Sequence, residues 1–289
     1  MNFNHKIAKP FLVALAIGLI LSACQKMERP GFGELILDPP PPPYSTLKSF
    51  WGFENNAGDS GQFRALTVAK NVTYVAGING QAAKFAIDGY ILAATIHDSL
   101  KIPQSFSLAF WINGVGPVKG GAQGLFAIGN TKEFWGNLEL FLENHDTGPA
   151  SEAFLKVHLF NASVASGNGE EWTEVKIPNA LNKWTHIAVT YDQTNSQLAI
   201  YADGVAVDAN GATAGTAKVL GGGTYGPIKW KDAGGMVIGT YAFQTTPTQA
   251  NHGAEGWARS FNGAMDQVRF YITKALTPAE VMDLFTTKK

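Results

Sequence analysis

The chain has 289 residues, a formal charge of −1 and one cysteine. The near-neutral balance, without a basic run, speaks against a nucleic-acid partner, and a lone cysteine excludes a scaffold built on disulfides. A charged fraction of only 16% with 32 glycines accompanies a scarcity of helix-period patterns, so an all-β body is expected.

The N-terminus carries Lys6 and Lys9, then the apolar run PFLVALAIGLI and the tetrad Leu21-Ser22-Ala23-Cys24. The run is shorter than the ~20 residues that span a bilayer and suits the core of a secretory signal. Small residues followed by a cysteine resemble a bacterial lipobox, with residues 1–23 cleaved as a signal peptide and Cys24 acylated. An ordinary signal peptide with a coincidental cysteine is the alternative. No later stretch is long and apolar enough to be a transmembrane helix, so the membrane is expected to be met only through the N-terminal lipid. Residues 24–46 include the five prolines Pro39 to Pro43 and read as a semi-rigid polyproline stalk. The body, 47–289, has the length of one large β domain.

The body opens on FWGFENNAGDSG, and G-D-S-G is also how trypsin-like proteases surround their nucleophile. There the base and the acid precede the serine. The one histidine before Ser60 is His5, inside the leader, so Ser60 has no catalytic partner and is read as a turn residue. Period-two or β-branched runs then predict strands at 106–112, 138–143, 154–160, 184–191, 198–202, 236–241 and 265–272. Asp203-Gly204 predicts a type I′ hairpin turn, and Asn262-Gly263 a turn before the last strand. Near the end, ALTPAEVMDLF predicts a helix capped by Thr277, with Pro278 at its first position, a capping box to Glu280 and a Leu276–Val281 staple. Many strands, few helices and glycine-rich connections point to a β-sandwich.

The ordered set WTHIAVTYD, LAIYADGV, VIGTY and FNGAMDQVRFYITKALTPAEVMDLF resembles the laminin-G-like branch of the concanavalin A-like lectin/glucanase superfamily. FWGFENNAGDSG stands in place of the family's first strand and D-S-G loop, and AAKFAIDGYI in place of its F-x-G segment. The resemblance covers about residues 47–286. It implies a jelly-roll β-sandwich of two curved antiparallel sheets with a short C-terminal helix, its first and last strands adjacent. It places GDSG in the loop after the first strand. Some superfamily members carry a structural calcium, which would draw on Glu54, Asn55, Asp59 and Asp266; otherwise no cofactor is required.

The superfamily also contains glycoside hydrolases, whose laminarinase-like members set acids at E-x-D-x-E on one strand. Here the nearest pattern is Glu139-Leu140-Phe141-Leu142-Glu143, with phenylalanine in the middle position. The two Glu backbones stand roughly 13 Å apart along a strand, too far for the carboxyl pair of a retaining or inverting glycosidase. His186 shares a strand face with Trp184 and reads as a packing residue, while His97, His145, His158 and His252 show no metal-ligand spacing. Trp51, Trp111 and Trp184 fall in strand patterns and are assigned to the core. Trp135, Trp172, Trp230 and Trp257 fall beside glycine-rich and polar connections, with Tyr225 in the same connection as Trp230. These five aromatics are the expected ligand contacts, because exposed rings stack on the CH-rich faces of sugars. The expectation is a non-catalytic, carbohydrate-binding lipoprotein of the bacterial cell envelope, on the outer membrane and facing the periplasm or the surface. A protein-interaction or adhesion module is the alternative, and a glycoside hydrolase or lyase the third.

Overall fold

The computed structural model describes residues 45–165, 169–209 and 216–288. The leader, Cys24 and the prolines of the stalk lie outside the described residues. None of the described helices is long and apolar enough to cross a membrane.

The first strand, β1 (Leu47–Trp51), lies against the last, β15 (Gly263–Ile272), as the resemblance implied. One layer is built from β15, β4 (Phe106–Gly114), β9 (Thr185–Asp192), β10 (Gln197–Ala202) and β11 (Val205–Val207). The second consists of β13 (Ala233–Ile238), β5 (Ala122–Asn130), β6 (Leu138–Leu142), β7 (Ala153–Phe160) and β8 (Glu170–Ile177). Between them runs β3 (Gln81–Ala93), which pairs with β15 through Ala83 and Lys84 and with β13 through Ile91, Leu92 and Ala93. The chain kinks between those two halves, where Asp88 has φ +56. Hydrogen bonding is therefore continuous from one layer to the other, and the two expected sheets are the halves of one nearly closed sheet. β2 (Val68–Ala76) pairs with β3, and β12 (Lys218–Val219) with β10. All pairings are antiparallel except that of β14 (Ala258–Ser260), which runs parallel to β5.

Alternation along the strands sorts the side chains. Phe106, Leu108, Phe110 and Ile112 of β4 meet Leu138, Leu140 and Leu142 of β6 in the core between the layers, and each such buried side chain contributes about 1.5–3 kcal/mol. On the other side of β4, Ala109 lies under Val281 of the C-terminal helix α1 (Pro278–Thr287) and Leu276 just before it. That helix begins with the expected capping box between Thr277 and Glu280. His186 packs against Trp111 at 5.2 Å, and burial pushes its imidazole down to about 4, so it is neutral at pH 7. The Asp203-Gly204 turn has φ of +48 and +80, both in the left-handed range a type I′ turn requires.

The GDSG loop is a fastening. The Asp59 carboxylate accepts from the backbone N–H groups of Phe50, Gly61 and Ala65 at 2.8, 2.8 and 3.0 Å. Ser60 donates its hydroxyl to the Phe50 carbonyl at 3.1 Å. Gly61 admits no side chain, because a Cβ there would stand 2.6 Å from the Lys48 carbonyl oxygen. Asp59→Ala leaves three amides without their acceptor and is expected to cost about 2–4 kcal/mol in urea unfolding, with Asp59→Asn recovering part of it.

Candidate functional site

The face of the β5–β8 layer turned away from the core carries a second cluster of side chains. Strand alternation sends Glu139 and Phe141 to this face while their neighbours enter the core. Register then sets His158 of β7 beside Glu139, and Trp172 of β8 beside His158. Two connections complete the cluster. The reversal between β5 and β6 presents Phe134 and Trp135, held by Asn137, whose amide donates to the Gly129 and Lys231 carbonyls. The segment from Gly239 to β14 crosses the same face and brings Tyr241, Phe243, His252 and Trp257. It lies so close that a Cβ at Gly124 would stand 2.4 Å from the Thr240 carbonyl carbon, and one at Gly129 2.2 Å from the Gln249 carbonyl oxygen. Glycine is needed at both positions for the crossing to occur.

Trp135 is the hub. Its ring lies edge-on to Trp172 at 5.0 Å, stacks on Phe141 at 6.0 Å and stands 5.9 Å from both His158 and Trp257. Phe134 stacks on Phe243 at 4.8 Å. Trp257 remains 39% exposed, and Trp135 and Trp172 are half-buried. A cavity of about 270 Å³ opens beside Trp135, with Glu133, Phe134, Gly136, His158 and Glu170 in its wall. A larger recess, about 440 Å³, lies over Glu54, Asn79 and Arg269. Its aromatic lining is Phe50 and Phe53, without a tryptophan, and Phe50 is already covered by the Arg269 guanidinium at 4.4 Å. The Trp135 cavity is therefore the stronger candidate for stacking.

The site is acidic. A hydrogen bond from His158, 3.1 Å from Nε2 to the carboxylate oxygen, holds Glu170 below the usual carboxylate range. Glu139 is only 1% exposed, and burial pushes it up from 4.5 to about 8. The amides of Ala242 and Gly136 lie near enough to oppose that rise in part, yet neither carboxyl oxygen has a partner in hydrogen-bonding geometry. A carboxyl raised on folding is protonated in the native chain while the unfolded chain ionises. Its contribution to stability is full below about 4.5, falls through the interval up to about 8 and is lost above it, with a slope of about 1.4 kcal/mol per pH unit. Glu139→Gln is expected to remove that slope, which urea midpoints of both proteins across the interval would show.

The five expected aromatic contacts divide. Trp135, Trp172 and Trp257 meet in this cluster, although Trp172 lies within β8 rather than in a connection. Tyr225 and Trp230 are corrected to core residues, 1% and 3% exposed. Their connection folds inward, because the Tyr225 hydroxyl donates to the carbonyls of Leu159 and Gly169 at 3.2 and 2.6 Å. The Trp230 ring packs 6.1 Å from Phe106. Neither ring offers a free face.

The expected acidic ligand set is not assembled either. Asp59 is committed to its loop, whereas Glu54 and Asp266 converge on the turn before β3. There Asp266 accepts from Ile78 and Asn79, and Glu54 from Gln81. Burial, with a smaller contribution from the Glu54 charge, pushes Asp266 up to about 6. Among the described residues no group of three or more His, Cys, Asp or Glu side chains gathers around a common point. The set does not fit the six to eight oxygens that calcium takes. Of the pair weighed for glycoside hydrolysis, Glu139 is buried, and Glu143 is paired with Lys156 at 3.1 Å.

The comparisons with known proteins bear on the fold. The sequence model of the concanavalin A-like lectin/glucanases superfamily, in its laminin-G form, matches residues 85–231, just over half of the chain. No curated protein matches the sequence. Among solved structures, domain 4 of AbnA, a GH43 extracellular arabinanase from Geobacillus stearothermophilus solved with arabinotriose, superposes with a TM-score of 0.51 at 21% identity, over 82% of this chain and 97% of that one. The binding domain of botulinum neurotoxin DC, solved in complex with rat synaptotagmin II, gives 0.54 at 14% identity over 84% of this chain. The same domain solved with SialylT gives 0.54 at 12%. This chain spans about half, 51%, of each toxin domain, and at these identities the likeness is one of fold.

Proposed function

The chain belongs to the laminin-G-like branch of the concanavalin A-like lectin/glucanase superfamily, and from that premise we propose that it is a non-catalytic carbohydrate-binding module of the cell envelope. The observation that carries this reading is the clustering of Trp135, Trp172 and Trp257 on one face, with a cavity opening beside Trp135. A sugar ring stacks there on indole faces, while Glu170 and Asn130 at the cavity wall accept or donate to its hydroxyls. No bond is made or broken. The likeness to an arabinanase domain solved with arabinotriose supports the reading through fold alone. The lipobox supports display on the membrane through Cys24.

The first test is a glycan array probed with residues 45–289, which carry every described element, each bound hit then being checked by mass for product. Retention without turnover is the expected result. Release of shorter oligosaccharides would replace the lectin-like reading with a hydrolytic one, and silence across the array would remove it. Anchoring has its own check: Cys24→Ala is expected to abolish incorporation of radiolabelled palmitate and to release the protein from the membrane fraction.

A second reading rests on a different surface. Leu66, Val68 and Ile87 are 92%, 61% and 85% exposed around the β2–β3 pair, and β2 pairs on one side only. An exposed apolar edge strand suits a protein partner. Envelope pull-downs that survive loss of the Trp135 cluster but not charged substitutions at Val68 and Ile87 would favour it.

A further inference from the structure

The polar groups of the Trp135 cavity are unbalanced in sign and in hydrogen-bonding sense. Its charged wall residues are Glu133 and Glu170, and neither lysine nor arginine lines it. Lys231 reaches Glu133 from outside, at 3.4 Å. Behind the wall stands Glu139, whose two carboxyl oxygens have no partner. Gly136, a wall residue of the cavity, lies beside it, since a Cβ there would stand 3.3 Å from Glu139 Oε1. His158 Nε2 stands 3.1 Å from Glu170, and its buried Nδ1 has no partner. Around these groups lie the rings of Trp135, Trp172 and Phe141.

Buried polar groups without partners are costly. A ligand group that pairs with the Glu170 carboxylate must bring N–H or O–H bonds. Carboxyl groups beside aromatic faces favour a donor that is also a cation, since ring faces attract ammonium groups and the attraction grows as water is excluded. We propose that the Trp135 cavity recognises an organic ammonium group, which on a glycan is the free amine of an unacetylated amino sugar. The proposal rests on the glycan reading for the identity of the carrier, but not for the ammonium site itself. The ammonium donates to Glu170, beside His158. The sugar ring lies against Trp135 and Trp172.

The experiment is calorimetry of the purified protein with three tetrasaccharides: fully deacetylated chitotetraose, its N-acetylated form and cellotetraose. It is run at a pH where the amine carries its proton, with methylammonium as a sugar-free probe. The expected result is at least about tenfold preference for the deacetylated form over both others. Glu170→Gln is expected to erase that preference, bringing the deacetylated form down to the affinity of the neutral oligosaccharides. Circular dichroism confirms that the variant is folded. Equal, Trp135-dependent binding of all three sugars would overturn the ammonium site and leave glycan binding intact. Trp135-dependent binding of methylammonium with no sugar bound would uphold the ammonium site and sink the glycan reading. If neither sugars nor methylammonium bind, both readings fall.

Discussion

Trp135→Ala is expected to weaken glycan retention by at least about thirtyfold, the loss of about 2 kcal/mol or more seen when a central tryptophan anchor is truncated. The expectation follows from position. Trp135 touches Trp172, Trp257, Phe141 and His158 at once, so its removal takes away one stacking face and loosens two others. Trp257→Ala removes the most exposed ring and should cost less, because Trp257 stands at the margin of the cluster. Trp135→Phe keeps a ring and should restore part of the affinity. Affinity chromatography on whatever glycan the array identifies, with thermal melts alongside, would separate lost contacts from lost structure. Unchanged retention in a folded Trp135→Ala protein would move the site elsewhere.

Trp230→Ala should behave in the opposite way. Its indole is a core component packed on Phe106, and truncating a buried tryptophan costs about 3–5 kcal/mol. The urea midpoint should fall sharply, while the folded fraction keeps its affinity for the glycan. Tyr225→Phe is a finer version of the same test, because two carbonyls lose their donor at an expected cost of about 1–3 kcal/mol. Loss of binding in either variant at full stability would return this connection to the ligand site.

These two tryptophans show why the site was only partly legible in the sequence. Both stand beside glycine and polar residues, and local pattern treats them alike. What distinguishes them is whether the connection folds outward or inward. For Trp230 that was decided by Asn161, whose amide donates to the carbonyls of Tyr225 and Pro227 from a position more than sixty residues earlier in the chain. Glu139 teaches the same lesson. Alternation placed it correctly on the face shared with Phe141, but its burial depends on the 239–258 segment lying over that face. The glycines at 124 and 129 were the available sign of that crossing. A glycine in a strand interior marks a close backbone approach, without saying which segment approaches.

Local chemistry was read well where it was self-contained. The capping box at Thr277 and Glu280, the turn at Asp203-Gly204 and the alternation of β4, β6 and β9 follow from contacts within a few residues. The strands β2, β5 and β8 were not predicted from pattern. β2 is largely exposed, β5 is buried on both faces and interrupted by glycine, and β8 buries only Thr173, Val175 and Ile177 among charged neighbours. β2 and β5 therefore show no clean hydrophobic period, and that of β8 is short. The laminin-G-like order of motifs lay in the sequence because each motif sets a backbone conformation by short-range forces. Which aromatic rings share a cavity, which carboxyl is buried and which acids are taken by backbone amides were decided by the tertiary structure alone. Those properties depend on groups distant in the chain, brought together when the layers close and water leaves.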